Sequence, residues 1–114
     1  MNKTTLATTI ITTLAILTGC AVVDVTKTAK GFYNPTNPNE VMILKTIPDK
    51  KYVELGTVTV QGFEVQETAK MHNAVRTKSA ALGADAVILT EEGMLPDGWG
   101  GGTKWATGVA VKYQ

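Results

Sequence analysis

One cysteine, one histidine and one serine are all that this 114-residue chain offers of the side chains that most often hold metals or attack carbonyls. A single thiol forms no intrachain disulfide and no cysteine-based metal site, so the fold must stand on its core alone. His72 has no second histidine or thiol, and no carboxylate three or four residues away on its own helical segment, so the spacing does not describe a zinc site. Ser79 sits within a helical pattern, without the strained glycine turn of a nucleophile elbow. No pair of catalytic carboxylates can be picked out either, and enzymatic activity is not expected. Charge of one sign is also missing: eleven basic side chains face ten acidic ones. Nucleic acid needs a broad basic field and is excluded as a partner. There is no apolar run long enough to cross a bilayer, which takes about 20 residues. The longest, Leu6 to Leu17, is shorter and broken by four threonines.

What that run does resemble is a secretory signal. Lys3 supplies the basic start, Leu6–Leu17 the apolar middle, and Leu17-Thr18-Gly19-Cys20 the end: an aliphatic residue, two small ones and a cysteine. This order resembles the lipobox of bacterial lipoproteins. The resemblance implies that residues 1–19 are a signal peptide removed before Cys20, recognised through Leu17, Thr18 and Gly19. It further implies a diacylglycerol thioether on the Cys20 sulfur and a third acyl chain, such as palmitate, on the new amino group. Each buried CH₂ contributes about 0.8 kcal/mol, so two or three chains hold a protein on a membrane almost permanently. Ala21 follows the cysteine, where an aspartate retains enterobacterial lipoproteins in the inner membrane. The implied location is therefore the periplasmic face of the outer membrane.

Removing residues 1–19 leaves 95 residues, enough for one small domain. Residues 20–39 lack a clean period and end in two Asn-Pro steps, which predicts a lipidated N-terminus and a flexible tether, with Phe32 and Tyr33 as a local cluster or, alternatively, docked on the domain. From residue 40 to 114 the pattern changes to an α+β domain. Val41–Ile47 and Tyr52–Val60 read as strands joined by Pro48-Asp49-Lys50-Lys51, a hairpin in the simplest reading. Gly56, inside the second strand, predicts a bulge or a close backbone approach.

Residues Glu64–Leu82 predict a helix whose buried stripe is Thr68, Met71, Val75, Ser79 and Leu82, stopped by Gly83. Ala86–Leu89 reads as a buried central strand and Lys104–Tyr113 as a strictly alternating one. In the latter Ala106, Gly108 and Ala110 make a small row that lets the helix approach. Trp105, Thr107, Val109, Val111 and Tyr113 make a large row on the other face. That face requires cover from the tether, a second sheet or another protein, since an exposed patch of this kind is an association site. The expected architecture is thus ββαββ, one helix on a four-stranded sheet.

Residues 91–103 read as a long glycine-rich hairpin loop carrying Trp99. Its glycines lead into a strand rather than a helix, so the loop does not match a phosphate cradle. Trp99, Trp105 and Tyr113 are the candidate partner contacts, with Trp99 alternatively folding back over the sheet. Glu91, Glu92 and Asp97 lack the spacing of a calcium loop and read as solvated charges.

Tyr52–Val58, Asn73–Leu89 and Ala106–Val111, with Leu82-Gly83-Ala84-Asp85-Ala86-Val87-Ile88 as the most telling part, resemble a family of small Gram-negative lipoproteins. More distantly, residues 51–113 are similar to YbjQ-like domains and to the outer-membrane lipoprotein that senses stress for the Rcs phosphorelay. Paired cysteines occur in that sensor, whereas Lys51 and Gln114 stand near where some of them are expected. The resemblance implies a non-enzymatic, cofactor-free module for binding, envelope maintenance or stress sensing. Its partners would be the membrane, through the lipid anchor, and an envelope protein or a second copy of itself. The alternative is a small-ligand or metal-binding lipoprotein centred on His72 and the acidic loop.

Overall fold

The computed structural model describes residues 22–114. In chain order the elements are β1 (Val22–Lys27), a 3-10 turn (Pro38–Glu40), β2 (Met42–Leu44), β3 (Tyr52–Phe63), α1 (Thr68–Ala81), β4 (Ala86–Pro96) and β5 (Gly102–Tyr113). They form one small α+β domain, a single helix on a five-stranded mixed sheet of order β1-β3-β5-β4-β2. All neighbours are antiparallel except β4 and β2, which run parallel. β3, α1 and β4 make a βαβ unit with β5 slotted between its two strands.

Of the predicted helix stripe, Met71, Val75 and Ser79 are fully covered, while Thr68 and Leu82 are half-buried; Ala80, outside the stripe, is covered as well. The helix itself begins at Thr68, and Glu64–Glu67 form a turn ahead of it. There the Glu67 backbone amide donates to the Glu64 carbonyl (2.9 Å), and the Glu64 amide to the Glu67 carboxylate (2.9 Å). At the other end the Gly83 amide donates to the Ala80 carbonyl (2.9 Å) and the Ala84 amide to the Ser79 carbonyl (3.1 Å). This is a Schellman closure, and Gly83 adopts the left-handed φ of +92° that it requires. Ala84 then leads into the sheet beneath the helix, while Ala86, equally buried, turns to the opposite face rather than under the helix.

Small residues on β5 bring the helix close, as their alternation predicts. Ala106 and Ala110 share one buried cluster with Met71, Val75, Val87, Leu55, Val58 and Val60. Across the sheet, Ala86, Ile88 and Val111 form a second cluster, surrounded by Leu44, Tyr52, Val109 and Tyr113.

Three expectations from sequence change. The sheet has five strands, because residues expected in a tether build β1, which pairs antiparallel with β3 from Val22 opposite Gln61 to Lys27 opposite Gly56. Residues 28–41 then strap the helix end, with the Thr36 amide donating to the Ala80 carbonyl (2.9 Å) and Arg76 Nε to the Val41 carbonyl (3.2 Å). Next, β2 and β3 are not a hairpin: β2 lies on the far edge, parallel to β4 (Met42 opposite Ala86, Leu44 opposite Ile88). The physical reason is that both flanks of β3 are already taken, by β1 and β5. Lastly, the supposed loop 91–103 is mostly strand. β4 and β5 pair to Pro96 opposite Gly102, leaving only a tight turn over 97–101.

Candidate functional site

The surface anticipated on the outer sheet face is largely closed by its own neighbours. Val111 is fully buried and Ile88 nearly so. Thr107 Oγ1 lies 2.8 Å from Thr59 Oγ1, a cross-strand hydroxyl pair that satisfies both residues. Trp105 is half-buried and its indole lies over Gly93, where an added Cβ would stand 3.1 Å from the ring. Tyr113 is half-buried under the Lys50 ammonium, 4.8 Å from the ring centroid. Trp105 and Tyr113 stand eight residues apart on one strand, roughly 27 Å at 3.4 Å per residue, so they do not share a patch.

The acidic residues of the alternative reading are likewise dispersed. Glu92 pairs with Ala106 and so faces the helix, where its Oε2 lies 3.2 Å from His72 Nε2. Sequence spacing missed this contact, because the carboxylate comes from another element twenty residues on. Glu91 pairs with Thr107 on the opposite face. Asp97 Oδ1 accepts the Trp99 amide (2.7 Å) and the Gly101 amide (3.2 Å), so its carboxylate organises the turn. Among the described residues, no three His, Cys, Asp or Glu side chains converge. A recess of about 410 Å³ between strap and helix holds Arg76, whose guanidinium is committed to the Val41 carbonyl and the Asn73 side chain.

The hairpin end differs. Trp99 is 92% exposed at the turn, Met94 is 54% exposed and Leu95 50%, and Val65 from the turn before α1 is 49% exposed. Val65, Met94, Pro96, Gly100 and Gly101 line a groove of about 290 Å³. Since Glu92 faces the helix and strand residues alternate, Met94 lies on the helix side and Leu95 on the other. The hairpin is therefore apolar on both faces.

Its flank is open as well. β2 covers β4 only over Ala86–Ile88, and among the described residues nothing pairs with the outer edge of β4 from Leu89 to Pro96. A three-residue β2 leaves this edge bare; the shortness was not legible from the apolar run Val41–Leu44. Cys20 and the preceding Leu17, Thr18 and Gly19 lie outside the described residues.

No protein-family profile matches the chain. No curated protein sequence matches it. Among solved structures, the crystal structure of a Francisella virulence factor, FvfA, in the orthorhombic form is similar, with a TM-score of 0.55 at 14% identity, covering 79% of this chain and 97% of that one. At that identity the likeness is one of fold.

Proposed function

We propose that this chain is a lipid-anchored, periplasm-facing module of the outer membrane that works without catalysis, by contact with envelope proteins. The lipobox at Leu17–Cys20 and the likeness of residues 51–113 to small Gram-negative lipoproteins, YbjQ-like domains and the Rcs sensor support the location and the class. The observation that carries the binding reading is the open β4 edge, Leu89–Pro96. An unpaired row of backbone amides and carbonyls invites an added strand, and native proteins usually shield such rows. An extended segment of a partner laid along this edge would gain main-chain hydrogen bonds, with Glu91 and Glu92 at alternate faces favouring basic side chains.

In-cell photocrosslinking from position 91, with position 50 as control, tests this reading. A defined envelope protein captured from 91 and not from 50 is expected. Capture of nothing, or of the same set from both positions, overturns it. Capture of the chain itself would assign the edge to a homo-oligomer. The anchor is tested separately: Cys20→Ser is expected to move the protein from the membrane to the soluble periplasmic fraction, and unchanged membrane retention would refute lipidation.

A further inference from the structure

The place where β1 begins bears on what the hairpin tip meets. Val22 opens β1 opposite Gln61; Gln61 lies opposite Trp105, and Trp105 opposite Gly93. The chain thus enters the sheet on the rung from which the β4–β5 hairpin sets out. From that rung the hairpin continues past Pro96 opposite Gly102, three further residues or about 10 Å, before its turn. Cys20 precedes Val22 by two residues and reaches at most about 7 Å from it. β1 runs antiparallel to β3 and β5 likewise, so Val22, where β1 begins, lies toward the end of the sheet from which the tip extends. Three strand spacings separate β1 from β4, roughly 14 Å. A twist of about 20–25° per strand pair splays β1 and the hairpin without reversing them.

We infer that the tip of the β4–β5 hairpin, Met94–Gly101, sits in the interface of the phospholipid leaflet that holds the Cys20 lipid, as a second foot beside the anchor. The inference rests on the lipid-anchor reading and is independent of the β4 edge. Its support is the surface itself. Trp99 at 92% exposure, with Met94, Leu95 and Val65, surrounds the tip with apolar groups on both faces. A flat protein partner would meet one face; a lipid interface meets all of them. Tryptophan, an apolar ring with one N–H donor, is enriched at that depth. The tip from Gly93 to Thr103 holds no lysine or arginine, so attachment draws on apolar burial rather than on attraction to anionic headgroups. Glu64, Glu91 and Glu92 stand behind the tip, and Asp97 lies within it with one carboxylate oxygen accepting the Trp99 and Gly101 amides, so the tip goes no deeper than the headgroup interface, because carboxylates resist entry into the apolar layer.

The test uses the full protein extracted from membranes, its Cys20 acylation read by mass, and reconstituted in phosphatidylethanolamine–phosphatidylglycerol vesicles that carry bromines near the top of the acyl chains. W105F leaves Trp99 as the sole tryptophan, and W99F leaves Trp105. Trp99 emission is expected to shift to the blue and lose intensity to the brominated lipid, with little effect of added salt, while Trp105 changes less. As a second measurement that keeps Trp105, a diazirine amino acid at position 99 is expected to yield a phospholipid adduct. Acylated protein whose Trp99 keeps the emission of a water-exposed indole, or whose position 99 captures protein and no lipid, overturns the proposal. Unacylated Cys20 overturns it by removing the anchor, which the mass identifies whatever the emission does.

Discussion

Ser79 is the one polar side chain among the described residues that is fully buried, and its Oγ has no hydrogen-bond partner. A buried hydroxyl without a partner costs about 1–3 kcal/mol, and alanine is the better helix former. Ser79→Ala is expected to raise unfolding stability by about 1 kcal/mol in urea titrations, minus a small packing loss. The only serine thus costs the helix it sits in some of its stability. Gly83 presents the opposite case. Its φ of +92° is one that side chains rarely adopt, and an added Cβ would stand 2.6 Å from the Tyr33 Cβ and 2.9 Å from the Asn34 carbonyl. Gly83→Ala is expected to destabilise by at least about 2 kcal/mol, from left-handed strain plus displacement of the strap. The same denaturation experiment reads both variants.

Helix α1 and strand β1 each hang on a contact made outside themselves. Ahead of α1, the Glu64 backbone amide, and then the Lys70 side chain, hold the Glu67 carboxyl below its ordinary value of 4.5. Lys70 is correspondingly raised above 10.5, chiefly by its hydrogen bond to Glu67. A lowered acid contributes stability that is present above its ordinary value and lost as pH falls through the lowered one. Melting temperatures of the wild type should therefore exceed those of Glu67→Gln at neutral pH and converge with them as pH falls from 4.5 through the lowered value. For Lys70 the sign reverses: its contribution is present below 10.5 and lost as pH rises through the raised value. β1 depends on Gly56, where an added Cβ would stand 2.5 Å from the Thr26 carbonyl oxygen. Both sequence readings of this glycine hold, since the register also slips between Glu54 and Gly56. Gly56→Val is expected to unpair the lower half of β1, read as faster hydrogen exchange at Val25–Lys27 while α1 amides stay protected.

At the scale of the molecule, the last strand to be made is the central one. β5 lies between β3 and β4 and contributes to both buried clusters through Ala106, Ala110 and Val111. Without it, β3 and the β4 edge have no partner between them, and the helix loses the small row it packs on. A chain ended at residue 101 is expected to show no cooperative thermal transition and to be digested rapidly by protease. A truncated chain that melts cooperatively would show that β1, β3 and α1 can hold a core on their own. The described residues contain no helix long and apolar enough to cross a membrane.

Much of this was legible in the residues because the signals are local. The stripe Met71-Val75-Ser79, the stop at Gly83 and the alternation of Ala106 and Ala110 with larger neighbours depend on spacing along one element, and each appears as read. The tertiary structure decided what depends on distant partners. Val22–Lys27 is a β-branched run whose strand character was available, but only the free edge of β3 makes it a strand rather than a tether. Whether Val41–Leu44 folds back as a hairpin or crosses to β4 turns on which edges β1 and β5 occupy. Trp99, Trp105 and Tyr113 look alike in one dimension; the fold half-buries two of them and projects the third. The sequence alone determined the helix, its glycine stop, the alternation of β5 and the candidate anchor motif, because periodicity and short motifs are contiguous. Only the tertiary structure set the start of β1 on the rung from which the apolar hairpin leaves, because register joins residues that the chain keeps far apart.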